Sequence, residues 1–325
     1  MKLPEYQNHE EKKQFFSYVK IDTKDVIDSH FGSLLANSPR CIFRGVHEAK
    51  YKLFTSVQRE WIAGGLGRHT TINNLVDTLI RNIRANRILN TYYQSLNIAQ
   101  TDLLYLSLLQ HYSAPTPLLD FSHSLNIAFY FATKNLTVSC SENNIDDYFS
   151  VYYIDLDKCG NELVRMDDFL CNGLQRGQQM YEEFTKNNPY VSVNKSLLDD
   201  IDEFTQWMNP KNPSGSISTI PLAFIDNPIH SHKITTPYTQ NTLYWSNLNI
   251  TAQEGCFLLY NNDDIPVEAY IKAQKYLPPI WCVDIHKSLA EYVKTTFLQN
   301  LPENILFPNV SQMAKDAYTS FCANL

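Results

Sequence analysis

Between Thr70 and Leu89 the apolar residues Ile72, Leu75, Val76, Leu79, Ile80 and Ile83 recur at helical spacing, with Thr70 or Thr71 placed to cap the first turn. Arg81, Arg84 and Arg87 fall on or beside the opposite face, either as the solvated side of an amphipathic helix or as a basic surface. Further helices are predicted from Asp102 to about Tyr112 and from Ser124 to about Lys134. Strands are predicted over Cys41–Arg44, Tyr148–Leu156, Ser216–Ile225, Cys256–Tyr260 and Ile280–Ile285, each short, rich in aromatic or β-branched residues and bounded by turn formers. Because few of the intervals between strands hold a clear helix, the pattern predicts an α+β fold and not a regular doubly wound sheet. The best loop is Asn209-Pro210-Lys211-Asn212-Pro213-Ser214-Gly215, and the first 39 residues read as a helical lead.

At 325 residues and 44% apolar, the chain can bury a substantial core. Its opening lacks the apolar centre of a secretion signal, and no run approaches the ~20 apolar residues that span a bilayer, so a soluble, cytoplasmic protein is expected. Seven cysteines, odd in number and never spaced Cys-x-x-Cys, indicate reduced and mostly buried thiols. The net charge of −7 is unevenly spread. From Arg40 to Gln100, nine Lys/Arg face three Asp/Glu, whereas from Ser141 to Pro210 fourteen Asp/Glu face five Lys/Arg. An anionic ligand would be steered to the first lobe, unless both are simply ordinary solvated surface.

The candidate chemistry begins with Leu109-Gln110-His111-Tyr112-Ser113-Ala114-Pro115-Thr116-Pro117-Leu118-Leu119-Asp120-Phe121-Ser122-His123-Ser124, a polar, proline-braced turn just before a helix start, where backbone N–H groups can meet an anion. Cys41-Ile42-Phe43-Arg44-Gly45 closes a short apolar segment with an arginine suited to phosphate and a glycine that permits close backbone approach. His111 either orients the turn or contacts a ligand. His123 is a candidate acid–base group. Ser122 and Ser124 either cap the helix or bind a ribose or phosphate oxygen. His230 and His232 have no partner at metal-ligand spacing, so no metal is expected. Neither a phosphate-binding Gly-x-x-x-x-Gly-Lys nor a Gly-x-Gly-x-x-Gly motif occurs, which argues against ATP hydrolysis and Rossmann-type hydride transfer.

Phe43-Arg44-Gly45, the block from Leu109 to Asp120, the helix ending Ala128-Phe129-Tyr130-Phe131-Ala132, Gln253-Glu254-Gly255-Cys256-Phe257 and Leu306-Phe307-Pro308-Asn309 resemble, in order, the bacterial FRG-domain family. On that resemblance one domain covers 40–325. Departures are Ser113, Pro117, Phe121 and Ser122-His123 in the central block, and Asn249 near the place of a basic residue. The order of Arg44, of Ser122-His123-Ser124 with its following helix, and of Gln253-Glu254 before an apolar strand is also similar to ADP-ribosyltransferases of the arginine–serine–glutamate type.

This second resemblance implies a mixed sheet core with surrounding helices and NAD as ADP-ribose donor. Arg44, Gly45, His111, Ser122, Ser124 and Tyr130 would surround NAD, with Glu254 and His123 as the catalytic candidates. Aligned along the apolar strand that follows, Cys256 stands where the glutamate of such transferases often stands and Glu254 where its partner stands, and a change of one residue in strand register would swap which side chains face the cleft. The resemblance further implies a bacterial toxin or antiphage effector with a neutralising antitoxin protein as partner and RNA, DNA or a protein as acceptor, among which the basic lobe with Arg81, Arg84 and Arg87 favours a nucleic acid. An NAD glycohydrolase and a non-catalytic nucleotide- or partner-binding module stand as alternatives.

Overall fold

A computed structural model describes residues 2–159 apart from 38–39, 97, 99, 101 and 137–143; 217–225 apart from 218–219; 233–235 and 240–242; 248–313 apart from 275–276, 278 and 300; and single positions 186, 315 and 319. The predicted loop 209–215, His230 and His232, and nearly all of the acidic stretch after residue 159 lie outside these.

In chain order the helices are α1 (His9–Lys12), α2 (Lys24–Asn37), α3 (Ser56–Gly64), α4 (Ile72–Arg84), α5 (Arg87–Ser95), α6 (Asp102–His111), α7 (Leu125–Thr133), α8 (Leu248–Ala252), α9 (Val267–Ala273), α10 (Ala290–Phe297) and α11 (Glu303–Leu306). The strands are β1 (Ser17–Ile21), β2 (Cys41–Val46), β3 (Leu118–Ser122), β4 (Tyr148–Asp155), β5 (Leu222–Ile225), β6 (Lys233–Thr235), β7 (Gln240–Thr242), β8 (Gly255–Tyr260) and β9 (Trp281–His286). Seven of them form one mixed sheet in the order β1-β9-β4-β2-β3-β8-β5, and β6 pairs with β7 separately. The molecule is α+β.

The sheet is two halves joined by a narrow seam. β2 and β4 pair from Cys41↔Asp155 to Val46↔Ser150, and β3 and β8 pair along Leu118–Ser122, but β2 and β3 share only Phe43↔Ser122. On one face, Phe43, Val151, Tyr153, Val283 and Ile285 pack beneath Ile27 and Phe31 of α2, Phe129 of α7 and Val293 of α10. Farther along, Leu118, Phe257, Leu259 and Ala223 pack with Val57, Val76, Leu104 and Tyr105 from α3, α4 and α6. On the other face, Ile42, Leu119, Phe121, Tyr152, Cys256 and Leu258 meet Tyr6, Phe16 and Leu53, with Val267 and Ile271 of α9. Strand residues i and i+2 share a face, so Asp120 and Ser122 lie on the same side as Leu118, between the first two clusters.

The predicted helix over 70–89 is two. Thr71 accepts from the Asn74 N–H to start α4, and Asn86 accepts from the Leu89 N–H to start α5, so a second cap interrupts one continuous apolar period. Arg84 pairs with Asp102 at 2.6 Å and lies over the Tyr105 ring, while Arg81 and Arg87 are exposed. The predicted basic face therefore loses its middle member to internal packing. Of the predicted strand over Ser216–Ile225, residues 216, 218 and 219 lie outside the described residues and Leu222–Ile225 form β5. The first 39 residues, expected to be helical, also contribute β1, which lies parallel to β9. Only that distant partner makes Ser17–Ile21 a strand. β3 occupies part of the block that reads as a turn, since the bracing by Pro115 and Pro117 ends at Leu118.

Candidate functional site

A cavity of about 490 Å³ opens where β2 and β3 part, within the usual range for small-molecule sites of ~300–1,000 Å³. Its polar lining is Arg44, His47, Gln110, His111, Asp120, Ser122, Asn249 and Gln253. Phe131 and Phe307 form part of its apolar lining, with their rings edge to face at 6.2 Å. The site combines hydrogen-bonding groups with aromatic surface.

Arg44 stands opposite Tyr152 in the β2–β4 ladder, and its Nη1 donates to the Asp120 carbonyl at 2.6 Å. Its Nε is buried with no hydrogen-bond partner. Burial pulls the guanidinium below its ordinary pKa, Asp120 opposes that shift, and Arg59 adds to it. A buried, unsatisfied donor on a charged group costs about 1–3 kcal/mol or more, which an incoming anion would relieve.

Gly45 lines the cavity, yet its conservation of space serves the fold: a Cβ there would come within 1.8 Å of the Ala128 carbonyl oxygen and 2.7 Å of Ala132 N. The backbone that approaches Gly45 is α7. Ser122 donates to the Gln253 carbonyl at 2.7 Å and accepts from the Ser124 N–H at 3.0 Å, tying the end of β3 to the turn before β8. Ser124 is the N-cap of α7 but makes no side-chain cap bond and does not line the cavity. His111 Nε2 lies 3.2 Å from Asn249 Nδ2, and burial lowers its pKa against the opposing pull of Asp120. With the amide donating, the ring is neutral and carries its proton on Nδ1.

Besides Ser124, three predicted site residues lie outside the cavity lining: Tyr130, His123 and Glu254. Tyr130 packs near Phe307 and beneath Lys134, which pairs with Glu303 at 2.7 Å. His123 donates its backbone N–H to the Glu254 carbonyl at 3.0 Å. Glu254 is exposed in the turn before β8 at φ 45°, a left-handed conformation rare outside glycine. The register places Cys256 opposite Phe121, fully buried in the cluster on the far face of the sheet, and no carboxylate from this strand or the turn before it lines the cavity.

Five polar lining residues carried no expectation of a role in the site: His47, Gln110, Asp120, Asn249 and Gln253. Gln110 Nε2 donates to Asp120 Oδ2 at 2.7 Å, and Gln253 Nε2 donates to the Leu306 carbonyl at 3.1 Å, which fastens the backbone next to Phe307. Gln110 and Asp120 sit inside the central sequence block, so their side-chain chemistry was the available signal. Asn249, Gln253 and Phe307 come together with them only in the fold.

Residues 39–139 match the family model of the FRG domain. The FRG match runs from just before β2 to just after α7 and so holds Arg44, Gln110, His111, Asp120, Ser122 and Phe131. Asn249, Gln253 and Phe307 complete the cavity from beyond it. No curated protein and no solved structure matches the chain. Among the described residues no group of three or more His, Cys, Asp or Glu side chains could hold a metal ion, no helix is long and apolar enough to cross a membrane, and Cys41, Cys159, Cys256 and Cys282 are free and buried.

Proposed function

We propose that the cavity binds a nucleotide and that the chain uses NAD as an ADP-ribose donor. The observation that carries this reading is the buried Arg44 Nε, left without a partner on the wall of a cavity that also offers amides, an imidazole and aromatic rings. A guanidinium takes phosphate oxygens through paired N–H donors, and aromatic faces take a planar base. The order of Arg44, the Ser122 region and the Gln253 turn, similar to arginine–serine–glutamate transferases, supports NAD over other nucleotides.

In such a transfer the bond between ribose C1′ and the nicotinamide nitrogen breaks, the electron pair stays on that nitrogen, and neutral nicotinamide leaves. An acceptor lone pair then forms the new bond to C1′ and the acceptor loses its proton. Fixed groups accelerate this step by meeting the positive charge that grows on the ribose. In this reading the acceptor is a nucleic acid met by exposed basic residues, of which Arg81 and Arg87 remain available, and the biological output is that of a toxin or antiphage effector.

The test is nicotinamide release and calorimetric NAD binding by the wild type and Arg44→Ala, with mass spectrometry of RNA, DNA and protein for added ADP-ribose. Arg44→Ala is expected to bind NAD about thirty- to a hundredfold more weakly, as loss of a charge-assisted contact of roughly 2–3 kcal/mol does. Unchanged binding in a folded Arg44→Ala protein would falsify the donor site. Nicotinamide release with no modified acceptor would show a glycohydrolase, and saturable binding with intact NAD a binding module.

A further inference from the structure

Among the described residues, Asp120 is the only carboxylate that lines the cavity. Its position is set from behind. Buried Thr116 is anchored at the start of α3, where its N–H donates to Ser56 Oγ at 2.9 Å and its carbonyl accepts from the Val57 N–H at 3.1 Å. The Thr116 hydroxyl donates to Gln110 Oε1, which fixes the amide so that Nε2 faces Asp120. Gln110 then holds one carboxylate oxygen, Oδ2, while the residue's own carbonyl holds Arg44. One residue thus places an acceptor group and steadies the cavity's guanidinium, a rigid support of the kind that catalytic groups need.

Among the described residues no cationic side chain closes an ion pair with this carboxylate, and its supports are a neutral amide and a strand. It is exposed on the cavity wall. Within the reading of the cavity as a nucleotide site, on which this inference rests, the guanidinium and the carboxylate call for a ligand with an anionic group next to hydroxyls. A ribose phosphate has that chemistry.

We propose that Asp120, and not Glu254, is the carboxylate that meets the substrate, accepting a ribose hydroxyl and facing the positive charge that grows at C1′, with Gln110 as its positioning residue. The C1′–N bond breaks and the C1′–acceptor bond forms as described above; Asp120 forms no bond to carbon.

The experiment compares wild type, Asp120→Asn, Gln110→Ala and Glu254→Gln for nicotinamide release, for binding of NAD, ADP and inorganic pyrophosphate, and for melting temperature. Asp120→Asn is expected to lower kcat about a hundredfold, as loss of a principal transition-state contact does, with melting and pyrophosphate binding unchanged. Gln110→Ala should lower kcat about tenfold with KM little changed, a split that a merely structural role would not produce. Glu254→Gln should stay within about twofold of wild type. Full activity in Asp120→Asn, or a hundredfold loss in Glu254→Gln, overturns the proposal. If wild type binds NAD but releases no nicotinamide, the donor reading fails by itself. Asp120 is then decided by affinity: tenfold weaker NAD and ADP binding in Asp120→Asn with unchanged pyrophosphate binding upholds it, and equal binding overturns it. A wild type that binds none of the three overturns both readings. If Asp120→Asn melts early, Asp120→Ser is measured in its place, and loss of fold in both would make Asp120 structural and end the proposal.

Discussion

Two carboxylate–cation assemblies lie on this sheet, and they are built to opposite ends. On the far face, Lys12 Nζ donates to the Ala49 carbonyl, Ser150 Oγ and Asp284 Oδ1 at 2.6–2.7 Å, so all three ammonium protons are used. Asp284 also accepts from Ser150 at 2.6 Å and Tyr18 at 2.8 Å and lies 3.0 Å from His9 Nδ1. At the cavity, Arg44 has its Nη1 on a carbonyl and its Nε on nothing. A closed set of partners fastens the N-terminal segment to the sheet. An open set leaves chemistry available to a ligand.

The sharpest way to break this comparison is to open the closed cluster. Asp284→Asn or Lys12→Met strands the opposite charge in the core and should cost about 3–5 kcal/mol, read by urea unfolding. Burial alone would raise the Asp284 carboxyl, but Lys12, His9 and Ser150 hold it well below the usual range. Its contribution is therefore complete above the unfolded value of about 3.9 and fades as pH falls from there through the lower folded value. Asp284→Asn should remove that part of the acid-unfolding slope; an unchanged slope would show that the cluster is not what links acid to unfolding.

Gly45→Ala asks whether the cavity's glycine serves ligand or fold. The added Cβ meets the backbone of α7, so about 1–3 kcal/mol or more should be lost in thermal unfolding before any ligand is added. A stable Gly45→Ala protein with weakened NAD binding would return this position to the ligand.

Arg44→Met tests the open cluster from the other side. It loses one hydrogen bond but removes an unsatisfied buried donor, so stability should stay level or rise by about 1 kcal/mol while NAD binding weakens as in Arg44→Ala. A fall as large as that of Asp284→Asn would make the two clusters alike. The smallest contrast is within the serine pair: Ser122→Ala loses both hydroxyl bonds and should cost about 1 kcal/mol, whereas Ser124→Ala loses no cap bond and should lie within about 0.5 kcal/mol of wild type.

Local pattern was enough to place α4 by its apolar stripe, α6 and α7 by their apolar runs, and β2, β4, β8 and β9 by short aromatic and β-branched segments, because these signals act over a few neighbouring residues. The same locality made Arg44, His111 and Ser122 recognisable as cavity candidates, since each stands in a distinctive block. Gln110 and Asp120 were in plain view in that block, but a strand's inward face depends on parity, and β3 was not recognised as a strand.

What the sequence determined by itself was the helices α4, α6 and α7, the strands β2, β4, β5, β8 and β9, and the chemical character of the central block. Tertiary structure alone decided that β1 joins β9, that β2 and β3 meet at a single pair, that Arg84 is spent on Asp102, and that Glu254 stands outside while Asp120 faces in. The physical reason is that secondary structure follows from periodicity within a segment, whereas a cavity's lining follows from register and seam between segments far apart in the chain, where a step of one residue exchanges the two faces.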